Sequence, residues 1–150
     1  MKLGASPVRR HPAVLCYSMN ELRTVLIVDD DAVLRSSLES VLTPAGYRIL
    51  TTGDPDTAYQ LLTSETVAAV LLDVRLPGMS GLALSLAITH RWPGLAGRVA
   101  LMTGDADAPD VRAWVRRNPC AVIRKPFRLD QVAAWLESLA GASDRNASAG

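Results

Sequence analysis

Apolar residues in this chain fall into two kinds of block that alternate from residue 23 to about residue 140. The first kind is a short run with little polar interruption: VLIV (25–28), RILTT (48–52), VAAVLL (67–72), RVALMT (98–103) and AVIR (121–124). Each reads as a strand; VLIV, a continuous apolar run, predicts one covered on both faces, and VAAVLL again shows no polar alternation. The second kind repeats at helical spacing. Leu34, Leu38, Val41 and Leu42 make one stripe, Ala58, Leu61 and Leu62 another, and Val132, Ala133, Leu136 and Leu139 the last. Further helices are predicted from the N-cap candidate Ser80 to His90 and over 109–117, and Asp54 stands as a cap for the second helix. Pro44 and Gly46 end the first. A strand–helix unit repeated five times calls for an α/β fold, a doubly wound parallel sheet with helices on both faces. Ligands of such sheets sit beyond the carboxyl ends of the strands.

Those ends carry polar residues that a purely structural sheet does not need. The first strand ends in Asp29, Asp30 and Asp31, and the third in Asp73, followed by VRLPGMSG. The fourth ends in Thr103-Gly104, and Lys125-Pro126-Phe127 follows the fifth. Three adjacent carboxylates repel one another and cost desolvation, so a metal ion, a helix N-terminus or solvent must neutralise them. Paired carboxylates with a backbone carbonyl suit Mg²⁺, a hard cation that keeps several waters. A carboxylate is also a covalent nucleophile, able to take a phosphoryl group as an acyl phosphate. A hydroxyl and an ammonium then hold the phosphoryl oxygens.

Composition changes this picture only at its margins. The 150 residues are 49% apolar with a net charge of +1, enough for one domain with a substantial core. Neither a broad nucleic-acid footprint nor a membrane span is indicated, and the N-terminus lacks the apolar stretch of a secretory signal. Cys16 and Cys120 have no metal-type spacing and fit a reducing cytoplasm. Residues 1–22 read as a loosely ordered leader, with Met19 a candidate start, and 141–150 as a disordered tail. The domain is therefore placed at 23–140. Of sixteen basic residues fourteen are arginine, and Lys125 is the only lysine apart from Lys2.

In the motifs VLIVDDDAVLR (25–35), LLDVRLPGMSG (71–81), LMTG (101–104) and KPF (125–127), the chain resembles the receiver domain of bacterial two-component response regulators. The resemblance covers about residues 23–140, and the spacings from Asp30 to Asp73, Thr103 and Lys125 are those expected of a receiver. It implies a flavodoxin-like five-stranded sheet of order 2-1-3-4-5. It also implies that Asp73 is the phosphoacceptor, and that Asp30, Asp73 and the carbonyl of Arg75 ligate Mg²⁺, with Asp29 holding a metal-bound water. Thr103 and Lys125 would bind the phosphoryl group, and the Lys125–Pro126 bond would be cis. The implied partners are a histidine kinase or phosphotransfer protein and an unidentified downstream protein, with no direct contact to nucleic acid or membrane. The implied location is cytoplasmic, and the activity that of a signalling module rather than an enzyme.

Two features depart from that pattern. Val122 stands where receivers often carry a switching Tyr or Phe, and nothing after the fifth helix is long enough for an output domain. Asp31 is expected to face solvent or cap the first helix. Trp114 and Trp135 are expected as partly buried core residues, and Arg112, Arg116 and Arg117 as a solvated charged face. His11 and His90 have no ligand-like neighbours. The alternative is a haloacid-dehalogenase-type phosphatase, with Asp29 as nucleophile and Asp31 as acid. It explains VLIVDDDAV but lacks an acidic pair after Lys125 and leaves DVRLPGMSG unexplained.

Overall fold

A computed structural model describes residues 23–149, with side-chain surroundings up to residue 141. The leader 1–22, with Met19, His11, Cys16 and Lys2, lies outside the described residues. Five strands form one sheet: β1 (Thr24–Val28), β2 (Arg48–Thr52), β3 (Ala69–Asp73), β4 (Val99–Thr103) and β5 (Ala121–Arg124). They are parallel throughout, in the expected order β2-β1-β3-β4-β5. The helices between and after them are α1 (Ala32–Leu42), α2 (Pro55–Ser64), α3 (Gly81–Arg91), α4 (Pro109–Arg117) and α5 (Leu129–Ala149).

The apolar runs are explained by two cores, one on each face of the sheet. Leu26, Val28, Val70, Leu72, Val99 and Leu101 point to the side covered by α2, α3 and α4. Val25, Ile27, Ala69, Leu71, Ala100 and Met102 point to the side covered by α1 and α5. Leu26, Ile27, Leu71 and Leu101 are wholly buried, each contributing about 1.5–3 kcal/mol through removal from water. Trp114 and Trp135 are half-buried against these two cores, as expected.

The helix starts follow from capping. Asp31 accepts the N–H groups of Val33 and Leu34, Asp54 that of Thr57, and Ser80 that of Leu82. Each satisfies donors that the first helical turn leaves unpaired. No helix among the described residues is long and apolar enough to cross a membrane.

Three local expectations are corrected, and one short ribbon was not foreseen. Val41 is 38% exposed and lies off the buried stripe of α1. β3 begins at Ala69, two residues later than the apolar run, and reaches Asp73, which pairs with Met102. Residues Arg75–Leu76 and Met79–Ser80 form a short antiparallel ribbon, folded over by Pro77 and a left-handed Gly78 (φ 77°). α5 runs to Ala149, past the expected end near Leu139. The residues after Leu139 include no proline to stop the helix, although their glycine, serine, aspartate and asparagine are poor helix formers.

The start of α3 presses directly on the phosphoacceptor candidate's own main chain. A Cβ at Gly81 would collide with the carbonyl oxygen of Asp73, whereas one at Gly94 would meet nothing within 4 Å. Gly81→Ala is expected to lower stability by about 1–3 kcal/mol, and Gly94→Ala to change it by less than about 0.5 kcal/mol. Urea denaturation of both variants checks the contrast, and equal midpoints would contradict it.

Candidate functional site

The strand order reverses between β1, which turns to β2 on one side, and β3, which lies on the other. This is where an open α/β sheet leaves a crevice at its carboxyl edge. Asp29 and Asp30 follow β1 directly, and Asp73 is the last residue of β3. One carboxylate oxygen from each of the three lies within 4.8 Å of the others. Asp29 is fully buried and Asp73 nearly so, while Asp30 is exposed.

Lys125 comes to the same point from the end of β5. Its Nζ is 2.7 Å from Asp29 Oδ2 and 3.5 Å from Asp73 Oδ2. The approach is guided by β4: the N–H of Lys125 donates to the Thr103 carbonyl at 2.7 Å, and the next peptide bond, to Pro126, is cis. Thr103 is buried at the neighbouring strand end, where its Oγ1 accepts the N–H of Asp105 at 3.1 Å. Backbone donors fix the carboxylates. Asp29 Oδ1 accepts from the N–H of Asp31 at 2.9 Å, and Asp73 Oδ1 from that of Arg75 at 3.1 Å.

These contacts set the charge state. Burial raises the Asp73 carboxyl above the ordinary carboxylate range, and the charge of Asp29 adds to this. The Arg75 amide and Lys125 pull the other way without cancelling it. For Lys125 burial pulls downward, but the hydrogen bond and charge of Asp29, followed by Asp73, hold the ammonium above its usual value. The result is a crowded anionic cup with one cation bound in it. A hard divalent cation fits the donor set, which is carboxylate oxygen from two strand ends.

Every candidate site residue from the sequence therefore lies at this one edge: Asp29, Asp30, Asp73, Arg75, Thr103 and Lys125. Asp31 is spent as the cap of α1, and both oxygens of Asp29 are engaged. Two side chains were not foreseen. Arg35, one turn into α1, donates to the Asp29 carbonyl at 2.6 Å, a reach that helical spacing from Asp31 could have suggested. Arg75 pairs with Asp110 at 2.9 Å, a contact across the fold for which the sequence carries no signal.

The raised Asp73 pKa has a definite sign for stability. A carboxyl whose folded pKa exceeds its unfolded one favours the fold below the unfolded value, and the benefit is lost as pH rises through the folded value. The Tm of the wild type minus that of Asp73→Asn, both in chelator, is therefore expected to fall from about pH 4 to neutrality. Thermal scans at stepped pH check this; a difference that stays flat or grows would refute it.

Comparison with known proteins agrees with the geometry. Residues 25–137 match the response regulator receiver domain family. The chain is 35% identical over 111 residues to the DNA-binding transcriptional regulator NtrC of Klebsiella pneumoniae, covering 74% of this chain and 23% of that protein. It is 34% identical over 116 residues to the probable transcriptional regulatory protein TcrX of Mycobacterium tuberculosis, covering 77% and 49%. Among solved structures it resembles NtrX from Brucella abortus in complex with ATP, with a TM-score of 0.73 and 26% identity over 84% of this chain and 28% of that one. The chain thus spans about a quarter of NtrC and half of TcrX. With its five-stranded order, its strand-end carboxylates and a family match across most of its length, the chain belongs to the response regulator receiver domain family.

Proposed function

We propose that this chain is a phosphoacceptor module of a bacterial two-component system, taking a phosphoryl group onto Asp73 in the cytoplasm from a histidine kinase or a phosphotransfer protein. One observation carries the reading: a single ammonium, Lys125 Nζ, sits 2.7 Å from Asp29 and 3.5 Å from Asp73, two carboxylates from different strand ends. A structural ion pair needs one acid. A second, nearly buried and with its pKa raised, suits a carboxylate that is to become an acyl phosphate.

In the proposed transfer an Asp73 carboxylate oxygen attacks phosphorus in line. The new O–P bond forms as the P–N bond of a phosphohistidine breaks, and the imidazole leaves with the bonding pair. Lys125 moves from Asp29 toward a phosphoryl oxygen and balances its charge. Thr103 turns its hydroxyl to another, giving up the N–H of Asp105. This couples the loop after β4 to the state of Asp73. Asp30, Asp73 and the Arg75 carbonyl would hold Mg²⁺, with Asp29 acting through water. When bound, the ion supplies the positive charge that lets an anionic donor approach an anionic nucleophile.

The output is a change in the surface around residues 104–117, read by an unidentified downstream protein, with no nucleic acid or membrane contacted directly. Only self-phosphotransfer and slow self-dephosphorylation are expected as chemistry.

Incubation of the purified chain with acetyl phosphate and Mg²⁺, followed by intact mass measurement, tests the assignment. One phosphoryl group is expected on the wild type and none on Asp73→Asn. Lys125→Ala is expected to slow the reaction by about a hundredfold. Labelling that survives Asp73→Asn and vanishes in Asp29→Asn would reverse the roles and restore the phosphatase reading.

A further inference from the structure

α4 is lightly seated on the sheet. Of its nine residues only Val111 is fully buried, and its N-cap, Ala108, has no side chain to accept an N–H. The buried indole N–H of Trp114 meets no acceptor among the described residues. A first turn with no acceptor at its N-cap position and an unpaired buried donor each leave a helix short of its best packing. Val122, on the strand beside it, has no ring with which to transmit a change at the site.

One ion pair ties the first turn of α4 to the carboxylate cup. Arg75 grips Asp110 with both arms of its guanidinium, Nη1–Oδ2 at 2.9 Å and Nη2–Oδ1 at 3.2 Å. Asp110 Oδ1 also accepts the N–H of Val111 at 2.9 Å, so the carboxylate belongs to the helix and to the clamp at once. Arg75 is two residues from Asp73 and bonded to it through its own N–H. The pair is exposed, 60% on the arginine side and 48% on the aspartate side. Exposed pairs are weak, and the charge of Asp73 already acts on the Arg75 guanidinium, so a stronger anion at Asp73 competes with the Asp110 carboxylate. A phosphoryl group is such an anion, carrying close to two charges and matching the guanidinium fork.

We propose that Arg75 is a two-position latch: it clamps Asp110 while Asp73 is free, and moves to the phosphoryl oxygens when Asp73 is phosphorylated, releasing the first turn of α4. The latch deepens the function proposed above and rests on Asp73 being the phosphoacceptor. It gives the arginine side chain a role distinct from that of its carbonyl. Asp110 becomes the resting partner whose loss starts the movement.

Amide hydrogen exchange over residues 109–117, followed by mass spectrometry on the full chain, tests it with and without acetyl phosphate and Mg²⁺. In the wild type, exchange in this helix is expected to quicken about two- to fivefold on phosphorylation, as loss of an exposed pair allows. Asp110→Asn and Arg75→Ala are each expected to show the faster exchange beforehand, with little further change once phosphorylated. Intact mass on the same samples reports whether the phosphoryl group formed. A wild type that takes the group without any change in α4 would overturn the latch and leave the phosphoacceptor assignment standing. So would an Arg75→Ala variant whose unphosphorylated helix exchanges like the wild type's. A wild type that takes no phosphoryl group would remove both readings.

Discussion

The contact between Lys125 and Asp29 holds this molecule's functional edge together. The two residues come from the ends of β5 and β1, which are not neighbours in the sheet. At 2.7 Å, with the Asp29 side chain wholly shielded from water, each charge is tolerable only because of the other. Arg35 and the Asp31 amide hold Asp29 from the α1 side, and the Thr103 carbonyl holds the Lys125 backbone from the β4 side. The pair therefore acts as a brace across the crevice, and Asp73 stands between its supports.

That arrangement puts repulsion and burial where a well-packed core would avoid both. The surrounding sheet absorbs the cost. Leu71, Leu72 and Val74 around Asp73, and Ile27 and Val28 before Asp29, are completely buried. The contact between Gly81 and the Asp73 carbonyl removes any slack behind the acid. A rigid backbone with strained electrostatics at its tip is a common pairing at sites built to change charge.

Most of the fold was legible because the three inner strands, β1, β3 and β4, each announce themselves twice, by an unbroken apolar run and by the polar residue that ends it. Asp54 and Ser80 were readable as caps from position alone, since a short oxygen side chain before an apolar stripe has few other uses there. The candidate residues stood out for the same reason: Asp73 and Thr103 end runs that otherwise stay apolar. What escaped the sequence depends on tertiary geometry. Val41 keeps the helical spacing of its stripe, yet only the packing angle of α1 decides that it faces water. The ribbon after β3 needs the positive φ of Gly78, which a Pro-Gly pair permits without dictating the strand pairing around it. The clamp between Arg75 and Asp110 depends on where α4 lands, and no local pattern encodes that.

The scarcity of lysine has a chemical consequence of its own. Among the described residues Lys125 is the single ε-amine, and it stands at the mouth of the crevice with about a quarter of its side chain exposed. Acylating reagents attack the neutral amine, and the paired carboxylates keep this one protonated. Among the described residues, amine-directed labelling therefore has one target, whose reactive neutral form the closed brace disfavours. Covalent capture at that nitrogen reports directly on its opening.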